Sequence, residues 1–166
     1  MLKNICDCLL ICYGIKPKNI KRIGKMYNVR VNNKVICKDL LKLGAYGRYK
    51  WDIPLQIRKY FKEVWISCFF DCEAHVNANQ KQIQAKSVNL NGLKRVKNML
   101  NELGICPSLN GPYTQKIGSP YFVLTIGKEE DLKKYSKIIG FNHSEKVKKL
   151  NSVLNSRPDG PMVRRK

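Results

Sequence analysis

FKEVWISCFFDCEA, residues 61–74, has a broad run of apolar side chains with charges gathered near its two ends. That pattern predicts a helix buried in a core. Immediately downstream the period changes. Val76 and Ala78 alternate with His75, Asn77 and Asn79; past a turn near Gln80 and Lys81, Ile83 and Ala85 alternate with Gln82, Gln84 and Lys86. Alternation of this kind predicts two antiparallel strands, one face apolar against a helix layer and the other polar, free of acids and open to solvent or a ligand.

The chain also repeats itself. Leu2 to Gly14 (LKNICDCLLICYG) and Leu93 to Gly104 (LKRVKNMLNELG) are both helix-periodic, end at a glycine suited to a helix C-terminus and run into an isoleucine. Each is followed by a basic, turn-rich stretch and a strand, Tyr27–Val31 in one case and Tyr121–Ile126 in the other. Second helices follow at Val35–Leu43 and Glu129–Ile139, closed by Gly44 and Gly140, and Ser144–Leu154 forms a last amphipathic helix. Between the copies, Lys50 to Pro54 forms a linker, with Pro54 placed to open the helix that carries Leu55, Ile57 and Tyr60. The expected architecture is α+β: one complete αββαββα unit over residues 61–156, preceded by a partial copy and linker over 1–60 and followed by a basic, flexible tail over 157–166.

Charge points to a polyanion. The 166 residues include 32 Lys and Arg against 12 Asp and Glu, a formal charge of +20, while hydrophobic residues at 43% supply enough material for a core. Such an excess repels itself unless a partner neutralises it, and nucleic acid is the commonest partner. A membrane is disfavoured, because the longest apolar stretches, Cys8–Tyr13 and Val64–Phe70, fall far short of the ~20 residues that a spanning helix needs. The N-terminus lacks the features of a signal peptide, so a cytoplasmic protein is expected. The seven cysteines form no CxxC pair, and His75 and His143 are the only histidines, so zinc-ligand spacing is missing. Lying mostly among Leu, Ile and Phe, these cysteines are expected to be reduced core residues.

Ile66 to Ala74 (ISCFFDCEA) resembles a divergent LAGLIDADG motif, the signature helix of a family of homing endonucleases. The αββαββα order, the Ile-Pro in the connecting segment and the closing Ile138-Ile-Gly-Phe-Asn-His-Ser-Glu-Lys146 with Lys149 and Leu150 are similar to the archaeal two-repeat members, and the likeness extends from Leu2 to about Leu154. It implies a saddle-shaped antiparallel sheet that lies in a DNA major groove, around which the basic charge is concentrated, and two signature helices packed side by side. An acid at the base of each helix holds the divalent metals. By position that acid is Glu73, and Mg²⁺ or Mn²⁺ is the implied ion. Asp71 matches the more structural first acid and is expected to cap or brace the helix end. The motif's Ala-Gly pair is replaced by Ser67 and Cys68 and its last Gly by Ala74, substitutions expected to push two such helices slightly apart.

The same resemblance marks Gln84 and Lys86 as catalytic candidates contacting water or phosphate. His75, Asn77, Asn79, Gln82, Gln84 and Lys86 form the candidate base-reading face, and Lys18, Lys21, Arg22, Lys25 and Lys116 would add phosphate contacts. This stretch of chain holds one signature helix, so its first unit reads as lacking the helix and the first two strands. A homodimer or a complementing chain, joined through the Ile66–Ala74 helix, would supply the second Glu73-like acid. Two readings stay open: a metal-dependent endonuclease for double-stranded DNA, functional in intron homing once that helix is supplied, or a noncatalytic remnant that binds DNA or, like maturases, intron RNA. Glu73 itself is open between a metal ligand and an exposed carboxylate at a helix end.

Overall fold

Asn33 and Asn89 each start a helix in the way their side chains favour. The Asn33 carboxamide oxygen accepts from the backbone N–H groups of Val35 and Ile36, at 2.9 and 3.2 Å, and that of Asn89 accepts from Gly92 at 3.0 Å. In a computed structural model that describes residues 2–24, 26–45, 47–54, 57–114 and 118–156, the chain divides into two compact units, Met1–Ala45 and Tyr46–Lys166.

The first unit contains α1 (Leu2–Tyr13), β1 (Asn19–Ile23), β2 (Met26–Arg30) and α2 (Lys34–Leu43). Its two strands form an antiparallel hairpin running from the Asn19↔Arg30 pair to Ile23↔Met26. The Tyr13 hydroxyl donates to Asp39 at 2.9 Å and ties α1 to α2. Gly14 ends α1 at φ +66°, a left-handed backbone that glycine adopts without a Cβ clash. Gly44, at the equivalent place after α2, is extended instead, with φ 162° and ψ 168°. Among the described residues of this unit Ile36 is the only buried hydrophobic side chain. The apolar residues of α1, periodic as they are, have none buried.

The second unit contains α3 (Lys59–Glu73), β3 (Ala74–Asn77), β4 (Gln82–Ser87), α4 (Leu90–Glu102), β5 (Ser108–Tyr113), β6 (Tyr121–Ile126), α5 (Glu129–Ile138) and α6 (Ser144–Asn155). Its sheet is antiparallel throughout, in the order β3-β4-β6-β5. Val76, Ile83, Ala85, Leu124 and Ile126 point to one face and join Ile66 and Phe70 of α3 and Leu93, Val96 and Leu100 of α4 in a single core. Burying each of these side chains, the small Ala85 apart, contributes roughly 1.5–3 kcal/mol relative to exposure.

Four expectations change here. Residues 50–54 do not hang free between units: Ile53 is buried in the second core, Trp51 donates from its indole to Ser87 Oγ at 3.2 Å, and its carbonyl accepts from Asn89 Nδ2 at 2.6 Å. Asp52 adds an ion pair with Arg95 on α4. Pro54 does not open α3, which starts at Lys59 after a turn closed by Ile57 N–H on the Pro54 carbonyl; Leu55 lies outside the described residues. Helix α3 is buried on one side only, since Tyr60, Phe61 and Val64 are 60%, 48% and 59% exposed. Cysteines are not core residues either: Cys6 is half-buried and the other six are exposed. The reason is helical phase, because the apolar neighbours of Cys68 and Cys72 at Ile66, Phe69 and Phe70 turn inward while the thiols do not.

Candidate nucleic-acid interface

The motif helix delivers two acids to different surroundings. Asp71 is only 7% exposed, and its carboxylate accepts three contacts at 3.1 Å, two from Asn142 N–H and one from His143 N–H. One turn earlier, Ser67 donates to the Gly140 carbonyl at 3.3 Å and accepts from Asn142 Nδ2 at 3.0 Å. Together these two side chains hold the 140–143 connection between α5 and α6, so Asp71 braces a neighbouring segment rather than its own helix end. The Tyr135 hydroxyl, donating to the same Gly140 carbonyl at 3.1 Å, is pushed far up by burial and then by the Asp71 charge.

Glu73 is the last residue of α3 and is exposed. Beyond it the chain enters β3, where Ala74 pairs with Ala85 and His75 with Gln84. Glu73 directly precedes this ladder, whose first pair is Ala74 with Ala85. His75 is held below the usual imidazole range by partial burial first, then by the charges of Lys86 and Lys146, against a smaller opposing effect of its hydrogen bond with Gln84. His75, Gln84 and Lys86 are thus brought together at one end of the polar sheet face, with Glu73 on the helix end that leads into it.

Lys146 completes this end, and the sequence reading passed over it as a site residue. Its ammonium donates to the carbonyls of Phe70 at 3.0 Å and Asp71 at 2.6 Å, occupying the C-terminal end of α3 where a cation is favoured. Burial lowers its pKa, while Asp71, Cys72 and Glu73 pull it back up. A signal existed: Lys146 lies in the first turn of α6, where the helix dipole disfavours a cation unless another group holds it.

Across the face, Gln82, Gln84 and Lys86 share a concavity of about 320 Å³ with Ser108, Asn110, Tyr113, Tyr121, Val123 and Thr125. The β5 and β6 members of this set were missed in the sequence. SLNGPY, with its Gly and Pro, does not alternate, and YFVLTI is apolar on both phases. Lys86, its Nζ 5.8 Å from the Tyr121 ring centre, is the only charged group lining the concavity among the described residues. The basic charge is therefore not concentrated on the face itself. Asn77 sits on β3, whereas Asn79 falls in the turn and carries no strand phase. Lys18, Lys21 and Arg22 are exposed on the first unit, with Lys21 and Arg22, consecutive on β1, directed to opposite faces. Lys25, Lys116 and the 157–166 tail lie outside the described residues.

The outward side of α3 carries Val64 and Cys68, while Ser67 turns inward. Ala74 is also turned inward, 5% exposed in the core cluster, so its methyl group is not on the outward side of that helix. For a divalent metal, Glu73 is a suitable hard oxygen donor, but no group of three His, Cys, Asp or Glu side chains gathers among the described residues. Nearby carbonyls of Phe70 and Asp71 are taken up by Lys146. The residues present fit half of a carboxylate site that phosphate oxygens and a second carboxylate would complete.

Comparison with known proteins agrees with this fold. Residues 61–140 match the family described as a LAGLIDADG-like domain. The fold is similar to that of mesophilic variants of the homing endonuclease I-DmoI, with 18% identity, 83% of this chain and 71% of that chain covered and a TM-score of 0.60. I-DmoI in complex with DNA and Mn is similar at 18% identity over 84% of this chain and 72% of that one, TM-score 0.59. A variant of I-DmoI bound to its target DNA in the presence of Mg gives 19% identity, 83% and 71% coverage and 0.59. No curated protein matches the chain. Residues 61–140 thus match a LAGLIDADG-like domain, and the α+β fold is similar to that of the homing endonuclease I-DmoI.

Proposed function

We propose that the chain binds double-stranded DNA across the polar face of its four-stranded sheet and is a homing-endonuclease-like protein. The observation that carries this is the position of Glu73: an exposed carboxylate at the end of the motif helix, immediately before strand β3, whose polar face continues across β4 into an amide- and hydroxyl-lined concavity that includes Lys86. A backbone phosphate entering that concavity would meet Lys86, with His75 and Gln84 alongside. Mg²⁺ or Mn²⁺ on Glu73 would supply Lewis-acid stabilisation and an activated water for phosphodiester hydrolysis. Lys86 and Gln84 would orient the phosphate and the water. Hydrolysis requires a second carboxylate, from a signature helix of a second copy or of another polypeptide packed on the outward side of α3.

A noncatalytic DNA-binding role is the second reading. It is favoured by the single carboxylate at the site, with no three-residue metal cluster among the described residues. One experiment separates the two: supercoiled and linear duplex is incubated with the full chain and with Glu73→Gln, with Mg²⁺ or with chelator. The endonuclease reading expects metal-dependent nicking that vanishes in the variant while duplex binding persists. Equal nicking by the variant would remove Glu73 from the chemistry, and binding without nicking by the full chain at concentrations where it self-associates would exclude catalysis by a pair of copies and favour the second reading.

A further inference from the structure

Two exposed thiols share one side of α3. Cys68 and Cys72 stand four residues apart, which on a helix is about 6 Å of rise and 40° of turn. Two histidines of one helix hold a single zinc ion at that spacing, and a continuous helix reaches it without the CxxC turn of a zinc ribbon. Thiolate sulfur selects zinc and cuprous ions over Mg²⁺ and Mn²⁺. The pair is therefore chemically distinct from Glu73, a hard oxygen donor about 100° round the helix from Cys72.

One chain supplies half of such a site. A closed tetrahedral zinc site takes four ligands, and no third His, Cys, Asp or Glu gathers with these two among the described residues. The rest of the line says where the other ligands come from. Val64 and Tyr60, one and two turns before Cys68 on the same side, are 59% and 60% exposed, and no charged residue interrupts the line. Running ~18 Å along the helix, it is long enough for a seam with another helix. A second copy set on it by a twofold axis brings the same two thiols to the same place and completes the tetrahedron. Four thiolates around a divalent ion also carry net negative charge, which offsets part of the repulsion between two chains of +20. Cys8 and Cys12 repeat the spacing on α1 and are exposed too, but the next position on that side is Asn4, so α1 offers the thiols without the apolar line.

We propose that Cys68 and Cys72 are ligands of a structural zinc site that the same two residues of a second copy complete, so that the ion joins two chains along α3.

The test titrates the full chain, reduced and free of nucleic acid, with Co²⁺ and then Zn²⁺, reading absorption spectra and sedimentation together. Expected are the strong visible bands of cobalt among four thiolates, displaced by Zn²⁺ but not by excess Mg²⁺, with saturation at one ion per two chains. The dimer formed should return to monomer on adding a chelator. Cys68→Ser and Cys72→Ser should each weaken the ion by more than about a hundredfold, because even a group behind a metal ligand is worth up to that much. The double variant Cys8→Ser/Cys12→Ser should keep both ion and dimer. Metal-free unfolding midpoints should agree among all these proteins, as exposed substitutions allow, which separates a lost ligand from a lost fold. No cobalt binding, saturation without pairing, or loss of the ion in the α1 variant would overturn the inference. So would dimers that need an oxidant and yield to a thiol reductant, since disulfides would then take the place of the ion. With no nucleic acid present, each of these failures would leave the DNA-binding reading standing.

Discussion

Asp71 and Glu73 stand two residues apart, yet one is enclosed by three backbone donor contacts and the other faces solvent. A helix turns about 200° in two residues, so the same short motif supplies both a brace and an exposed carboxylate. Their order was legible because the motif assigns them by position. The partners were not, since Asn142 and His143 lie some seventy residues away and no local pattern links them. Lys146 was hidden for the same reason. Gly92 illustrates a constraint that the sequence conceals altogether: a Cβ there would lie 2.6 Å from the Trp51 ring, because the indole packs directly over the first turn of α4. Gly92→Ala is expected to destabilise the second unit by about 1–3 kcal/mol through this overpacking, despite the better helix propensity of alanine. Thermal unfolding of the two proteins under one buffer checks it; an equal or higher midpoint would mean that Trp51 yields without cost.

Elements with a clean period were legible. The β3–β4 hairpin follows from its alternation, and α4, α5 and α6 differ from their expected bounds by at most three residues at either end. Helix α3 was less well read because hydrophobicity alone does not say how many sides of a helix are covered. Its outward line, Tyr60, Val64, Cys68 and Cys72, repeats every four residues and is exposed throughout, while Ile66, Ser67, Phe70 and Asp71 face inward. A line of that spacing suits a helix-to-helix seam. Val64→Glu is expected to leave the unfolding midpoint of dilute protein unchanged within about 0.5 kcal/mol, as surface substitutions usually do. If α3 pairs with a second copy, the same change should abolish self-association in sedimentation experiments at raised concentration. Identical sedimentation of the two proteins, both associating, would place the contact elsewhere.

At the scale of the molecule, the two units differ in what they bury. The first has one buried hydrophobic residue among those described, and at about 45 residues it falls near the limit below which a chain seldom folds unaided. Residues 1–45 expressed alone are expected to lack cooperative unfolding, whereas 46–166 should unfold with a sharp transition. Far-ultraviolet circular dichroism with urea distinguishes these outcomes. The charge of +20 also has a different place from the one expected: Lys86 is the only charged group in the described concavity, so under the proposed DNA binding most of the attraction would come from lysines and arginines off that face. The affinity for duplex should then fall linearly in log–log terms as salt rises, with a slope that Lys86→Met reduces by no more than about one. A flat salt response would contradict it.

The 140–146 segment bears on where this domain ends. The match to the LAGLIDADG-like domain stops at residue 140, yet the ligands of Asp71 and the lysine that covers the α3 carbonyls come from residues 142, 143 and 146. A fragment cut at that boundary would keep every letter of the motif while leaving a buried carboxylate stripped of its donors. The stretch that holds Asp71 in place is longer than the stretch that matches, and any transplant of this unit into another protein must carry α6 with it.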